Sequence, residues 1–150
     1  MYSDSSWGEA YPSYGYGIFL ANGCISYLSK QLKLVCESSC EAEYAAVAYA
    51  SKELRFLVNL MNELELPIQA PFVTFVDNDA AIKVALDRGV SGRTKHFDLA
   101  IHVIRKLCEE NLILLKWIDT FGQLADWFTK ILSKDKIRSI MHYYLHGMSK

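Results

Sequence analysis

Four acidic residues stand where a folded chain could bring their side chains together, and clustered carboxylates are typical of a metal-binding site. They are, in chain order, Asp4, Glu43, Asp77 and Asp126. Carboxylates in one cleft repel one another, so a cleft that holds four of them needs cations to neutralise it. Hard oxygen ligands favour Mg²⁺ or Mn²⁺. Two such ions, about 3.5–4 Å apart, are a common device for phosphodiester cleavage.

Glu43 heads a stripe of otherwise apolar or small residues that recurs with helical spacing. The members are Glu43, Val47, Ala50, Leu54, Leu57 and Met61. On a helix of about 3.6 residues per turn these positions share one face. Burying an unpaired charge costs several kcal/mol, so this placement makes sense if the helix end points at a metal or at acids that share one. Glu41, two residues earlier, should face elsewhere.

Each acid also has an ordinary interpretation when it is considered alone. Glu43 could be a solvated first-turn acid that the helix dipole stabilises. Asp77 could belong to a capping group with Asn78 and Asp79 at the start of the next helix. Asp126 alone would be solvated. Only the four acids together favour a metal site.

The elements that would position these acids follow from hydrophobic periodicity and turn residues. The predicted strands cover residues 1–7, 16–21, 24–29, 72–76 and 112–118, with a hairpin turn at Asn22-Gly23. The predicted helices run from a cap at Ser38 or Ser39 to about residue 64, over 80–87 and 97–110, from about 121, and over 135–144. Hairpins join the first three strands and helices join the last two, which predicts a mixed sheet with helices packed on it. Trp7 and Trp117 are predicted to lie in the core.

The composition predicts one globular domain over residues 1–150, and we take its core as about 2–132 with a C-terminal helix in 133–150. The 150 residues are 51% hydrophobic and 22% charged, which excludes a disordered chain. The net charge of −1 gives no overall attraction to nucleic acid, so such a surface would need local clusters. The sequence has no apolar run of about 18 residues and no signal-peptide pattern. Four cysteines without a CxxC pair predict reduced thiols in an intracellular protein.

Five stretches that contain these acids occur in an order and at spacings that resemble a known family. They are Asp4-Ser5-Ser6-Trp7, Cys40-Glu41-Ala42-Glu43-Tyr44, Val76-Asp77-Asn78-Asp79-Ala80-Ala81-Ile82, Arg93-Thr94-Lys95-His96-Phe97-Asp98 and Gln123-Leu124-Ala125-Asp126-Trp127-Phe128-Thr129-Lys130. Together they closely resemble the ribonuclease H domain of copia-type retrotransposon Pol polyproteins. The resemblance extends from Tyr2 to about Leu132, and five motifs in order are far more specific than any one.

This resemblance implies an α/β, ribonuclease H-like fold, with a five-stranded mixed sheet in the order 3-2-1-4-5 flanked by helices. It implies metal-dependent cleavage of the RNA strand of RNA–DNA hybrids during reverse transcription, with 5′-phosphate and 3′-hydroxyl products. Two Mg²⁺ or Mn²⁺ ions would be the cofactors. The motif positions that carry over as catalytic, metal-binding acids are Asp4, Glu43, Asp77 and Asp126. The implied partners are the hybrid, reverse transcriptase and other parts of a Pol polyprotein, without a membrane, in cytoplasmic virus-like particles or the nucleus.

The chain departs from the family pattern in three ways. Ser6 stands where the family usually has a second, non-catalytic acid. Tyr11-Pro12-Ser13-Tyr14-Gly15 stands where the family usually has a basic stretch, so one contact to the hybrid is expected to be missing. The chain starts three residues before Asp4, which suggests a domain cut from a larger polyprotein.

Several polar residues are candidates for contacts with the hybrid. Arg88, Arg93, Lys95 and His96 form a basic cluster in a glycine-containing loop, which suits phosphate oxygens. His96 could also assist proton transfer or product release, or could make only a structural hydrogen bond. Lys30 and Lys33 could contact the other strand or lie in a solvated loop. Of Ser38 and Ser39, one is expected to cap the helix and the other to meet phosphate or a 2′-hydroxyl.

Three functions remain open from the sequence. The first is an active endoribonuclease specific for hybrids. The second is a domesticated or decayed, non-catalytic nucleic-acid-binding or interaction module with the same fold. The third is another metal-dependent phosphodiesterase, such as an exonuclease or integrase. The retention of all four acids and the Glu on the first long helix favour the first.

Overall fold

The computed structural model describes residues 1–8, 11–33, 35–86 and 98–146. Its strands are β1 (Tyr2–Ser5), β2 (Ser13–Leu20), β3 (Gly23–Gln31), β4 (Phe72–Val76) and β5 (Ile113–Trp117). Its helices are α1 (Ser39–Glu63), α2 (Asp79–Leu86), α3 (Asp98–Glu109) and α4 (Lys134–His146), and a short 3₁₀ helix, Leu124–Phe128, lies between β5 and α4. The predicted βββαβααβ order is confirmed.

The five strands form one mixed sheet in the order β3-β2-β1-β4-β5, which confirms the predicted order. β2 pairs antiparallel with β1 and with β3, while β4 pairs parallel with β1 and with β5. Tyr2 lies opposite Gly17 on β2 and opposite Phe75 on β4. β1 is therefore the central strand, and it carries Asp4 into the middle of the sheet.

Helices cover both faces of the sheet. Tyr16 and Ile18 of β2 pack in the same buried cluster as Val47 of α1. On the intervening positions of β2, Phe19 contacts the ring of Tyr144 in α4. Because successive side chains of a strand point to opposite faces, α1 and α4 lie on opposite sides of the sheet.

The stripe predicted for α1 is buried along most of its length. Val47, Ala50 and Leu54 are each at most 3% exposed. Ser38 is the N-cap, since its side-chain oxygen accepts a hydrogen bond from the backbone N–H of Glu41 at 3.2 Å. The buried face of α1 therefore begins within the first turn, where Glu43 lies.

The first hairpin turns one residue earlier than predicted. Ala21 and Asn22 have φ values of 48° and 68°, while Gly23 pairs with Leu20 and begins β3. Two consecutive left-handed residues are what a two-residue hairpin turn of type I′ requires. The register between β2 and β3 sets this position, because the pairing shifts by one residue next to Phe19.

The predicted helix from about residue 121 is wrong. The segment forms only the 3₁₀ helix Leu124–Phe128, because Gln123 does not complete a capping box with Thr120. The amide of the buried Gln123 donates to the carbonyl of Ser3 at 2.9 Å, and its oxygen accepts from the N–H of Ala125 at 3.3 Å. This side chain ties the segment to β1 instead.

The prediction that Trp7 and Trp117 lie in the core is also wrong. Trp7 is 53% exposed and Trp117 is 56% exposed. Trp7 follows the end of β1, where its indole N–H donates to the carbonyl of Cys36 at 3.2 Å. Trp117 is the last residue of β5, the edge strand, where its side chain stays largely exposed.

The structure also bears on the cysteines and on membrane-spanning segments. The four cysteines are free thiols. Among the residues that the structure describes, no helix is long and apolar enough to cross a membrane.

Replacement of Gly15 by alanine should destabilise the protein by about 1–3 kcal/mol, since overpacking forces neighbours to shift. A Cβ at Gly15 would overlap the Cβ of Phe128 and lie 2.9 Å from the carbonyl oxygen of Leu28. Gly23→Ala is the matched control, because the nearest atom to its new Cβ is the carbonyl oxygen of Leu20 at 3.7 Å. Urea unfolding of both variants checks this expectation, and equal midpoints would contradict it.

Candidate metal centre

Three of the four predicted acids meet at one point of the structure. Asp4, Glu43 and Asp77 each offer a carboxylate oxygen, and these oxygens lie within 4.8 Å of one another. Asp4 comes from the central strand β1, and Asp77 follows the last residue of the neighbouring parallel strand β4. Glu43 comes from the first turns of α1, which packs over β1. The centre therefore depends on three elements that are far apart in the sequence.

Glu43 is buried rather than solvated, so its interpretation as an ordinary first-turn acid is wrong. Its side chain is 5% exposed, and one carboxylate oxygen accepts from the N–H of Ser5 at 3.0 Å and from the Ser5 hydroxyl at 2.7 Å. The other oxygen, Oε2, is buried and has no hydrogen-bond partner within the described ranges. Burial, and next the charge of Asp4, raise the pKa of Glu43 to about 8.

Asp4 is completely buried and is held in place by the segment that follows the 3₁₀ helix. One oxygen accepts from the hydroxyl of Thr129, and the other accepts from the ammonium of Lys130 at 3.1 Å. Burial raises the pKa of Asp4 to about 6, although Lys130 opposes this shift. Even with the ammonium of Lys130 beside it, the carboxyl group of Asp4 therefore ionises less readily than a solvated aspartate.

Asp77 does not cap the following helix. The side-chain oxygen of Asn78 does so, by accepting from the N–H of Ala81 at 3.0 Å, while Asp79 forms an ion pair with Lys83. Burial is the main cause of the raised pKa of Asp77, again opposed by Lys130. At 13% side-chain exposure, Asp77 is the most solvent-accessible of the three converging acids.

Asp126 lies outside this group of three. It is 1% exposed, and two lysines hold its carboxylate. One oxygen accepts from Lys130 at 2.8 Å, and the other accepts from Lys136 of α4. Asp126 thus lies next to the centre, and the ammonium of Lys130 bridges its carboxylate to those of Asp4 and Asp77.

Lys130 is the residue at this centre that sequence reasoning missed. Its ammonium nitrogen lies 2.8 Å from Asp126, 3.1 Å from Asp4 and 4.0 Å from Asp77. Although burial lowers the pKa of this ammonium, the carboxylates of Asp4 and Asp126 raise it by more. The available signal was its position four residues after Asp126, which is ion-pair spacing in a helical segment. Lys136 had no such signal, since its contact depends on how α4 packs.

Glu41 faces away from the centre, as predicted, although it too is buried. It is 5% exposed, and its carboxylate accepts from the N–H of Glu37 at 2.6 Å. Ser6, where the family usually has an acid, helps to join the ends of β1 and β2. Its hydroxyl accepts from the N–H of Ser13 at 3.1 Å, and its own N–H donates to the carbonyl of Ser13 at 2.8 Å.

The candidate substrate contacts are placed only in part. Ser39 is the exposed first residue of α1, which leaves its neighbour Ser38 as the cap. Lys30 on β3 and Lys33 just after it are both exposed. The basic cluster lies outside the described residues; its members are Arg88, Arg93, Lys95 and His96.

The three converging side chains fit a hard divalent cation. All three donors are carboxylates, which Mg²⁺ and Mn²⁺ prefer. The unpartnered Oε2 of Glu43 is a buried acceptor, and leaving such an atom unsatisfied costs about 1–3 kcal/mol. Asp4, Glu43 and Asp77 all have raised pKa values because burial penalises their charged forms. A cation at this point would offset that penalty and supply the missing partner.

Comparison with known proteins gives relatives over most of the chain. It is 36% identical over 137 residues to the retrovirus-related Pol polyprotein from transposon RE2 of Arabidopsis thaliana. It is 34% identical over 137 residues to that from transposon RE1 of the same plant, and 34% identical over 124 residues to that from transposon TNT 1-94 of Nicotiana tabacum. These alignments cover 83–89% of the chain but 9% of each relative. No family model matches the chain.

The fold also has a solved counterpart. The N-terminal ribonuclease H domain of Rv2228c from Mycobacterium tuberculosis, solved as a fusion with maltose-binding protein, aligns with a TM-score of 0.64. The alignment covers 94% of both chains at 12% sequence identity, so it shows the fold alone. Together the relatives and the sheet order confirm the resemblance predicted from the five motifs. This chain is a homologue of one segment of the Pol polyproteins of copia-type transposons, and it has the ribonuclease H fold.

Proposed function

We propose that the chain is a metal-dependent endoribonuclease that cleaves the RNA strand of RNA–DNA hybrids during retrotransposon reverse transcription. The observation that carries this proposal is the convergence of Asp4, Glu43 and Asp77, with a buried and unpartnered oxygen of Glu43 among them. The names of the relatives and the ribonuclease H fold support the same reading.

The chain's own residues would hold and orient the metal ligands. Asp4, Glu43 and Asp77 would bind a divalent cation, and Asp126 would contribute to a second position. When bound, Mg²⁺ or Mn²⁺ would neutralise the acids and stabilise the charge that develops at a phosphodiester. Ser5 fixes the carboxylate of Glu43 by two hydrogen bonds, so this ligand is already oriented. The partial exposure of Asp77 provides the side from which a phosphodiester can approach.

The hybrid would lie across the N-terminal end of α1. Ser39 is exposed four residues before Glu43, about one helical turn away, where its hydroxyl can meet phosphate or a 2′-hydroxyl. Lys30 supplies an exposed positive charge on β3, and Arg93, Lys95 and His96 are proposed as further contacts from their motif. Reverse transcriptase and other Pol segments are the proposed partners, in cytoplasmic virus-like particles or the nucleus.

Cleavage of an end-labelled RNA–DNA hybrid by the purified chain tests this function. We expect cutting of the RNA strand with Mg²⁺ or Mn²⁺, 5′-phosphate and 3′-hydroxyl products, and loss of cutting with a chelator. Duplex DNA and duplex RNA of the same sequence should stay intact. A folded protein that binds the hybrid without cutting it would instead favour the non-catalytic binding module. Cutting of duplex DNA would favour another class of phosphodiesterase.

A further inference from the structure

We propose that the ammonium group of Lys130 takes the place of a second metal ion at this centre. The protein then binds one divalent ion at Asp4, Glu43 and Asp77 while Lys130 stays in place. A second ion binds beside Asp126 only after Lys130 moves away. This inference rests on the proposed function only in taking the same carboxylates as metal ligands.

The ammonium of Lys130 lies among the carboxylates where a metal ion would otherwise bind. The nitrogen of Lys130 lies within 4.0 Å of carboxylate oxygens from Asp4, Asp77 and Asp126. These three acids come from β1, the end of β4 and the 3₁₀ helix. A cation that bridges carboxylates of several elements is what a metal ion would otherwise supply. A divalent ion and this ammonium cannot both occupy the space between Asp4 and Asp126.

The positive charges at this centre are unevenly distributed. On one side, Asp126 accepts from both Lys130 and Lys136. On the other side, Glu43 contacts no lysine among the described residues, and its buried Oε2 has no partner there. When the four acids are ionised, the two ammonium groups offset two negative charges. The two that remain match one divalent ion, and the unpartnered oxygen marks the side on which it would bind.

Lys130 is placed so that its ammonium can leave the centre. Its side chain is 35% exposed, in contrast to 17% for Lys136, and it follows the short 3₁₀ helix rather than lying within a long one. A long alkyl stem at the surface can carry its ammonium into water without moving the backbone. A second ion can therefore displace the ammonium of Lys130 without a steric clash, but the displacement breaks the ion pairs of Lys130 with Asp4 and Asp126.

Titration of the metal-free chain with Mn²⁺ alone, followed by calorimetry and by the electron paramagnetic resonance of free Mn²⁺, tests the inference. For the wild type we expect one tight ion and a second that binds at least tenfold more weakly. Lys130→Met keeps the stem and removes the charge, so it should tighten the second ion by at least tenfold. Because Lys130 also contacts Asp4 and Asp77, the first ion should tighten as well, but by less than the second. Lys136→Met is the matched comparison: it removes the other ammonium from Asp126 but leaves Lys130 in place, so it should tighten the second ion by less than Lys130→Met does.

A second variant keeps the test decisive if Lys130→Met does not fold. Lys130→Arg retains the positive charge and should retain a weak second ion, as in the wild type. Two ions of equal affinity in the wild type, or an unchanged second ion in Lys130→Met, would overturn the inference. Absence of any tight ion would overturn the metal centre itself. A wild type that shows the expected titration yet never cuts the hybrid would refute the proposed nuclease but leave the role of Lys130 standing.

Discussion

Replacement of Asp77 by asparagine is expected to reduce cleavage of an RNA–DNA hybrid by ~10²–10³-fold, as loss of one charge-stabilising group does in other enzymes. The variant keeps the shape of the side chain and removes one of three converging negative charges. The fold should survive, because Asn78 rather than Asp77 caps α2. Burial raises the pKa of Asp77, so removing its charge should leave the metal-free protein at least as stable as the wild type.

Asp79→Asn is the matched control for this prediction. Asp79 lies two residues away and its side chain is 56% exposed in an ion pair with Lys83, a type of contact worth little. We expect less than a twofold change in the initial cleavage rate. Initial rates under saturating Mg²⁺, together with thermal unfolding in chelator, distinguish lost chemistry from lost folding. A similar loss in both variants would mean that net charge, and not the centre, controls the rate.

Replacement of Glu43 by glutamine is expected to stabilise the metal-free protein at alkaline pH. In the folded chain the pKa of Glu43 is raised from 4.5 to about 8, so the native state binds this proton more tightly than the unfolded state does. The protonated carboxyl group of Glu43 therefore contributes to folding stability in full below about pH 4.5, and this contribution is lost as the pH rises toward 8. The loss is on the order of 2–4 kcal/mol at pH 8, and glutamine avoids it.

Thermal unfolding in chelator at pH 5 and pH 8 measures this effect as the difference between wild type and Glu43→Gln. The variant should melt roughly 5–10 °C higher than the wild type at pH 8 and close to it at pH 5. The comparison is needed because the buried amino group of Met1 acts in the opposite sense, with a pKa lowered by burial to about 6. Added Mg²⁺ should stabilise only the wild type. Parallel pH curves for the two proteins would contradict a buried, metal-binding Glu43.

Those features that depend on local pattern could be predicted from the sequence. The apolar run Phe72–Val76 is β4 with the predicted bounds. A strand that lies between two others in a mixed sheet can be recognised from its continuous run of apolar side chains alone. Glu43 faces inward because its spacing from Val47 and Ala50 puts all three on one side of α1. The sheet order came from the family resemblance, since strand pairing across the chain leaves no local signal.

What depends on contacts between distant segments could not be predicted. Gln123 forms its hydrogen bond with Ser3, which is 120 residues away, and this contact shapes the segment around Asp126. The ion pair between Lys136 and Asp126 depends on how α4 packs against the 3₁₀ helix. The position of Asp126 relative to the other acids is therefore a tertiary property, even though its presence in a motif was evident.

The pairing of β1 with β4 has a consequence for how the molecule opens. β1, β2 and β3 are consecutive in the chain, whereas β4 follows after α1 and meets β1 with a single register pair, Tyr2 opposite Phe75. Because the β1–β4 ladder has a single register pair whereas the β2–β3 ladder has eight, amide hydrogens between β1 and β4 should exchange sooner than those between β2 and β3. Asp4 and Asp77 stand on opposite sides of the β1–β4 ladder. A divalent ion bound between them would therefore link β1 to β4, and amide hydrogen exchange along these two strands should slow when the ion binds.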